Sequence, residues 1–192
     1  MSVLIKICGL TREQDVDAAV AAGADMLGFI LVATSPRGIP VERALELAER
    51  VPETARTVAV FETAPVTVPG TETGRGFDLV QSYDGLAQGR DDRILGVRGE
   101  PPADLPDGVP VLLDLAFGSR PDAEALRAHW ARAAGVRAPV MLAGSLTPGN
   151  VADAVRAARP WAVDTARGVE TAPGVKDHGL IARFIERARA AA

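Results

Sequence analysis

The chain has 192 residues, 47% hydrophobic and 24% charged, with a formal net charge of −4. That is enough chain for one domain with a substantial core, and the acidic balance excludes a broad basic face for nucleic acid. A single cysteine excludes an internal disulfide, and no apolar run reaches the roughly 20 residues of a membrane span.

The N-terminal MSVLIKICGL has too short an apolar stretch for a signal peptide and no small-residue cleavage pattern. The expectation is a cytoplasmic protein of one domain, residues 1–192, without a nucleic-acid or membrane partner.

The elements follow in chain order. Leu4–Ile7 is a first aliphatic run. Thr11 then opens T-R-E-Q, the pattern of a capping box, and Val16, Ala19 and Val20 recur on one helical face up to Gly23, a natural stop. Met26–Val32 is a second run, and Pro40 starts a helix with Ala44, Leu45, Leu47, Ala48 and Val51 turned inward. Thr57–Phe61, Phe77–Val80 and Arg93–Val97 are further runs. The segments between them (63–76, 85–90 and 100–108) carry Pro and Gly or too few residues, so helices three to five are shortened or missing. Val109–Leu113 precedes a helix begun by Pro121, with Leu126, Trp130 and Ala133 inward and Gly135 at its end. Pro139–Leu142 precedes a Thr147-Pro148 cap and a helix with Val151, Ala154 and Val155 on one face. Trp161–Val163 is the eighth run, and Leu180, Ile181, Phe184, Ile185 and Ala188 mark a last helix whose Arg183–Arg189 side is solvated.

Continuous rather than alternating runs suit strands covered on both faces, as in a parallel sheet. Eight of them in so short a chain predict an α/β fold of compact (β/α)8 barrel type rather than a doubly wound sheet. In such barrels chemistry gathers at the carboxyl ends of the strands.

The residues ending the runs are Cys8, Ser35 with Arg37, Glu62, Gln81 with Tyr83, Arg98, Asp114, Gly144 with Ser145, and Asp164. An ionised Cys8 can act as nucleophile or base, while a lone cysteine with no paired histidines argues against a metal site. Asp114 and Asp164 each follow aliphatic runs, where a carboxylate is costly to bury without a task or a partner. Arg37 suits a carboxylate or phosphate. Gly144-Ser145 and Arg167-Gly168 lie after strands seven and eight, where barrels commonly hold a phosphate. His129 and His178 read as surface or helix-packing residues.

These segments resemble the phosphoribosylanthranilate isomerase family, a group of (β/α)8 barrels of tryptophan biosynthesis. The resemblance lies in KICGLT (6–11), GADMLGFIL with SPR (23–37), DLVQ (78–81), VLLD (111–114), LAGSLTPGNV (142–151), and AVDTARGVE with PGVKD (162–177). It implies an Amadori rearrangement with Cys8 as general base at the sugar C2′ and Asp114 as general acid at the furanose oxygen. It implies Arg37 at the anthranilate carboxylate, Asp164 at the bridging amine and Gln81 and Tyr83 in the substrate pocket. The phosphate would rest on Gly144, Ser145, Arg167 and Gly168. No metal and no cofactor are implied, and the partner is a small phosphorylated sugar amine bound by a monomer or homodimer.

Four places depart from the family pattern. Tyr83 stands where Gln-Leu-His-Gly would place histidine, and LAFGSRP (115–121) replaces a Gly-rich loop. Ser145 replaces the second glycine of a pair, and Ala166-Arg167-Gly168 replaces Ser-Ser-Gly. A paralogue acting on another phosphorylated sugar amine, its pocket remade around Arg37, Tyr83 and Phe117, is the alternative. A non-catalytic phosphate-binding protein is a third.

Overall fold

A computed structural model of the chain describes residues 2–63, 76–84, 92–102, 104–105, 107–116 and 118–192. Eight parallel strands close into a barrel in sequential order. They are β1 (Leu4–Cys8), β2 (Met26–Ile30), β3 (Arg56–Val60), β4 (Leu79–Ser82), β5 (Arg93–Arg98), β6 (Val111–Asp114), β7 (Val140–Leu142) and β8 (Ala162–Thr165). All eight sequence runs are therefore barrel strands. The helices are α1 (Glu13–Ala21), α2 (Val41–Ala48), α3 (Ala123–Ala134), α4 (Val151–Ala158) and α5 (His178–Ala190). Among the described residues no helix lies between β3 and β6. Most of the expected loop at 63–76, all of the stretch 85–90, and Phe117 lie outside the described residues.

Alternation along each strand builds two cores. On β1, Ile5 and Ile7 face outward and are fully buried against helix residues such as Val16, Ala19, Ile181 and Phe184. Cys8 faces the barrel axis with Met26, Val58, Ile94, Leu112, Met141 and Ala162. Lys6 shares that inward period and is also fully buried.

Three helix starts differ from the sequence reading. The Thr11 capping box does not form: Arg12 is the N-cap of α1 without a side-chain cap bond, and the Thr11 hydroxyl donates to the Gly174 carbonyl at 2.6 Å. α3 begins at Ala123 rather than Pro121, and Asp122 is its N-cap, accepting from the Ala125 amide. Thr147-Pro148 lies one turn ahead of α4, whose N-cap is Asn150. Only α3 gains a side-chain cap; Thr11 is drawn to Gly174 instead, and the N-cap of α4 makes no side-chain cap bond.

Asp15, fully buried, fastens α1 to the segment before α5. It accepts from Arg12 Nη2 at 2.7 Å and Nε at 2.9 Å, from His178 Nε2 at 2.9 Å and from the Lys176 amide at 3.2 Å. Burial raises its pKa, but these bonds outweigh burial and hold it below the usual carboxylate range. In the unfolded chain Asp15 titrates at its ordinary value, so the folded state binds fewer protons in the window between the two. Stability therefore rises with pH there and is lost as pH falls through the lower, folded value. Asp15→Asn is expected to lower the urea midpoint at neutral pH and to flatten the acid side of the stability curve.

Candidate active site

The inward residues at the carboxyl ends of the strands converge on one mouth. Lys6 and Asp164 are register partners on β1 and β8, and the Lys6 ammonium donates to Asp164 Oδ1 at 2.9 Å. Burial disfavours the Lys6 charge, yet Asp164 and then Cys8 outweigh it and hold the group protonated. The fit needs space from β2. A Cβ on Gly28 would sit 3.0 Å from Cys8 Sγ and 3.1 Å from Lys6 Cε.

Cys8 is 5% exposed. Burial pushes its thiol above the ordinary value; the Lys6 ammonium opposes this, the Asp164 carboxylate adds to it, and Lys176 opposes it again. Asp114, at the end of β6, is pushed up first by burial and second by Asp164. The Leu115 amide, Arg98 and the Tyr83 hydroxyl pull it the other way. The Leu115 amide donates to Asp114 Oδ1 at 2.8 Å and Tyr83 donates to Oδ2 at 3.3 Å. Gln81 Nε2 donates to the Tyr83 oxygen at 3.4 Å, while buried Gln81 Oε1 has no partner among the described residues.

On the opposite rim, Arg37 is held by Glu170, which accepts from Nε at 2.9 Å and Nη2 at 2.7 Å. Glu170 opens β9 (Glu170–Ala172), which pairs antiparallel with β10 (Val175–Lys176). The fully buried Lys176 ammonium donates to Glu170 at 2.8 Å, to the Cys8 carbonyl at 2.6 Å and to the Ala166 carbonyl at 3.1 Å. Burial lowers the Lys176 pKa, with Glu170 opposing. Burial raises that of Glu170, but Arg37 and Lys176 outweigh it and leave it low.

Gly144 and Ser145 follow β7 with φ of 89° and 55°, a left-handed pair that turns the chain sharply. Glycine takes this conformation freely, and serine at a cost of about 1–2 kcal/mol. Asn150 braces the turn, donating to the Ser145 carbonyl at 3.1 Å and accepting from the Thr147 amide at 2.8 Å. Arg167 and Gly168 lie in a 3-10 turn, Arg167–Val169, after β8. The loops touch: the Thr165 hydroxyl donates to the Leu146 carbonyl at 2.9 Å, and a Cβ on Gly168 would collide with that same oxygen. Arg167 is exposed.

Three residues of this site escaped the sequence reading. Lys6 reads as a surface lysine in composition, although its period with Leu4 and Cys8 marks it as inward. Glu170 and Lys176 were visible only inside a motif, with no sign that they pair. His129 is a packing residue and not a surface one: fully buried, it meets the Ala143 carbonyl at 3.0 Å through Nε2. His178 belongs to the Asp15 cluster.

A thiol, carboxylates and buried cations gathered at the carboxyl mouth of a closed parallel barrel define the class, a (β/α)8-barrel enzyme. A family model described as N-(5'phosphoribosyl)anthranilate (PRA) isomerase matches residues 5–81 and 111–187. The chain is 40% identical to N-(5'-phosphoribosyl)anthranilate isomerase of Thiobacillus denitrificans, over 99% of this chain and 100% of that one. The solved phosphoribosyl anthranilate isomerase of Thermus thermophilus superposes with a TM-score of 0.81 at 31% identity, covering 98% of this chain and 99% of that one. Its counterpart from Thermotoga maritima gives 0.84 at 27% with the same coverage. A further isomerase structure, in complex with reduced 1-(o-carboxyphenylamino)-1-deoxyribulose 5-phosphate, gives 0.78 at 27%, again covering 98% and 99%. The chain belongs to the phosphoribosylanthranilate isomerase family.

Removing one partner from a buried ion pair strands the other. Glu170→Ala, which leaves both Lys176 and Arg37 uncompensated, is expected to cost about 3–5 kcal/mol of unfolding free energy by urea titration. Glu170→Gln should cost less, because its amide oxygen still accepts.

Proposed function

We propose that Cys8 and Asp114 are the base and acid with which this enzyme converts N-(5'-phosphoribosyl)anthranilate to its carboxyphenylamino-deoxyribulose phosphate. Asp114 protonates the furanose oxygen, the C1′–O bond breaks, and the nitrogen lone pair forms a protonated imine. Cys8, as thiolate, takes the C2′ proton. The freed electron pair forms the C1′–C2′ double bond and neutralises nitrogen, and the enol then tautomerises to the ketose. The observation that carries this reading is the pairing of environments: Asp114 is pushed toward its protonated form by burial and Asp164, and the Lys6 ammonium beside Cys8 favours the thiolate.

Arg37, fixed through Nε and Nη2 by Glu170, receives the anthranilate carboxylate on its remaining face, and Asp164 faces the bridging amine. Gln81 Oε1 accepts from a donor of the substrate, with Tyr83 beside it. The turns at Gly144-Ser145 and Arg167-Gly168 hold the phosphate, with Arg167 supplying a cation from the exposed rim. The proposed setting is cytoplasmic, as monomer or homodimer, which fractionation and light scattering would check.

Wild-type protein is expected to consume the fluorescent anthranilate substrate and to complement a tryptophan auxotroph lacking this isomerase. Cys8→Ala and Asp114→Asn are each expected to lower turnover by about 10²–10⁴-fold with thermal unfolding still cooperative. Folded wild-type protein that binds inorganic phosphate yet leaves the anthranilate substrate untouched would overturn the reading in favour of the paralogue, whose mark is the changed pocket at Tyr83.

A pH profile follows from the two shifts. The competent form has Cys8 ionised and Asp114 protonated, although the thiol titrates above the carboxyl. Between the two values, falling acid and rising base fractions cancel, and kcat/KM is flat. Below the Asp114 value the acid is already protonated while thiolate keeps disappearing; above the Cys8 value the reverse holds. The acid limb is thus expected above the ordinary carboxylate range and the alkaline limb above the ordinary thiol value. A narrow optimum whose alkaline limb lies in the ordinary thiol range or below would contradict it.

A further inference from the structure

We infer that Tyr83 is a positioning residue for Asp114, aligning the acid through its hydroxyl and stabilising the carboxylate left when the proton departs. This rests on the reading of Asp114 as the ring-opening acid. The geometry comes from three adjacent strand ends. Tyr83, just past β4, donates to Asp114 Oδ2 at 3.3 Å, and the Leu115 amide holds Oδ1 at 2.8 Å. Both carboxyl oxygens are therefore oriented, which a side chain free to rotate would not be.

The phenol is itself held. The Arg98 guanidinium carbon, at the end of β5, stands 3.7 Å from the ring centroid, a cation–π contact. Arg98 in turn is gripped by Glu62, at the end of β3, with Nη2 to Oε2 at 2.9 Å. Gly96 on β5 leaves the ring its space, since a Cβ there would lie 2.6 Å from Tyr83 Cδ1. Gln81 Nε2 donates to the phenol oxygen at 3.4 Å, so that oxygen accepts on one side and donates on the other, a polarised chain.

A donor to a carboxyl oxygen gains when the group ionises, because the bond becomes charge-assisted. Tyr83 thus favours the deprotonated product of ring opening over the starting acid, which is the differential stabilisation that raises turnover. Burial first, then Asp114, Asp164 and Cys8, keep the phenol protonated, against Arg98, so it remains a donor. The charged and titratable groups acting on Asp114 are Asp164 from β8, with its partner Lys6, Arg98 from β5, with its partner Glu62, and Tyr83 itself. Of these only Tyr83 bonds to an Asp114 oxygen among the described residues. The resembling family pattern has histidine near this position, so the donor here is a different group on the same loop.

Tyr83→Phe deletes the hydroxyl and keeps the ring over which Arg98 lies. It is expected to lower kcat about ten-fold, with KM within about two-fold, and to move the acid limb of kcat/KM upward by about one pH unit. The Asp114 carboxyl, followed by infrared titration as the difference between Asp114 and Asp114→Asn protein, should shift upward in the Tyr83→Phe background, whether or not the protein turns over substrate. Arg98→Gln removes a charge that itself holds the Asp114 pKa down, so it should move the titration upward on its own, and adding Tyr83→Phe to it should move the titration further. Tyr83→His, which restores an N–H donor, should be more active than Tyr83→Phe. An unmoved Asp114 titration with wild-type kcat in Tyr83→Phe overturns the inference. Failure of the underlying reading looks different: Asp114→Asn would keep its activity, or folded wild type would be inert, and the infrared arm would still decide whether Tyr83 governs Asp114.

Discussion

One ion pair inside the barrel organises the chemistry around it. Lys6 and Asp164 meet between β1 and β8; both halves act on Cys8, and the carboxylate acts on Asp114 as well. The ammonium lowers the Cys8 pKa, while the carboxylate raises that of Asp114. In the proposed roles the ammonium favours the ionised form of the base and the carboxylate the protonated form of the acid, while burial holds both groups above their ordinary values. Neither Lys6 nor Asp164 would be tolerated there alone, since an isolated charge in such a place costs several kcal/mol. The pair also explains a small residue on the adjacent strand: Gly28 is where the Lys6 chain and the Cys8 sulfur need room.

A second buried pair does the same for the walls of the site. Lys176 reaches the carbonyls of Cys8 and Ala166 and so joins the ends of β1 and β8. Glu170 neutralises it and at the same time holds Arg37. The first and last strands of a barrel are the seam at which it must close, and this network crosses that seam at the mouth. Asp15, fastening α1 to the start of α5, crosses it on the outer layer. Closure of the barrel and alignment of its site are therefore held by overlapping contacts.

The strands were legible because each is covered on both faces and so reads as an unbroken aliphatic run. Strand ends were legible for the same reason: a Cys or Asp that interrupts such a run stands out. Helix starts were less so. Thr11 has the capping pattern, but its hydroxyl finds the Gly174 carbonyl, a residue 163 positions away, and no local pattern reveals that competition. Lys6 was hidden by composition, because lysine reads as solvent-facing until its period is set against that of Ile5 and Ile7. Glu170 and Lys176 were legible as part of a family motif and illegible as a pair, since pairing depends on the β9–β10 turn. The contacts of Tyr83 were hidden because its partners, Arg98 and Asp114, come from other strands.

In the proposed reaction the burial of Cys8 bears on the order of events. In the free enzyme desolvation holds the thiol above its ordinary value despite Lys6, so thiolate is scarce. Under the proposed roles, protonation of the ring oxygen by Asp114 and opening of the furanose would place a cationic imine next to C2′, and therefore next to the sulfur of the proposed base. A positive charge in a low-dielectric site favours an adjacent anion far more than it would in water. In that proposed step Asp114 would become a carboxylate accepting from the Tyr83 hydroxyl and the Leu115 amide. Acid catalysis thus generates the electrostatic condition for base catalysis. The scarce ionised form of Cys8 that enters the proposed reaction meets an acidic C2′ proton only once the ring has opened, because the cationic imine then takes up the freed electron pair; the closed sugar has no such sink and keeps its proton.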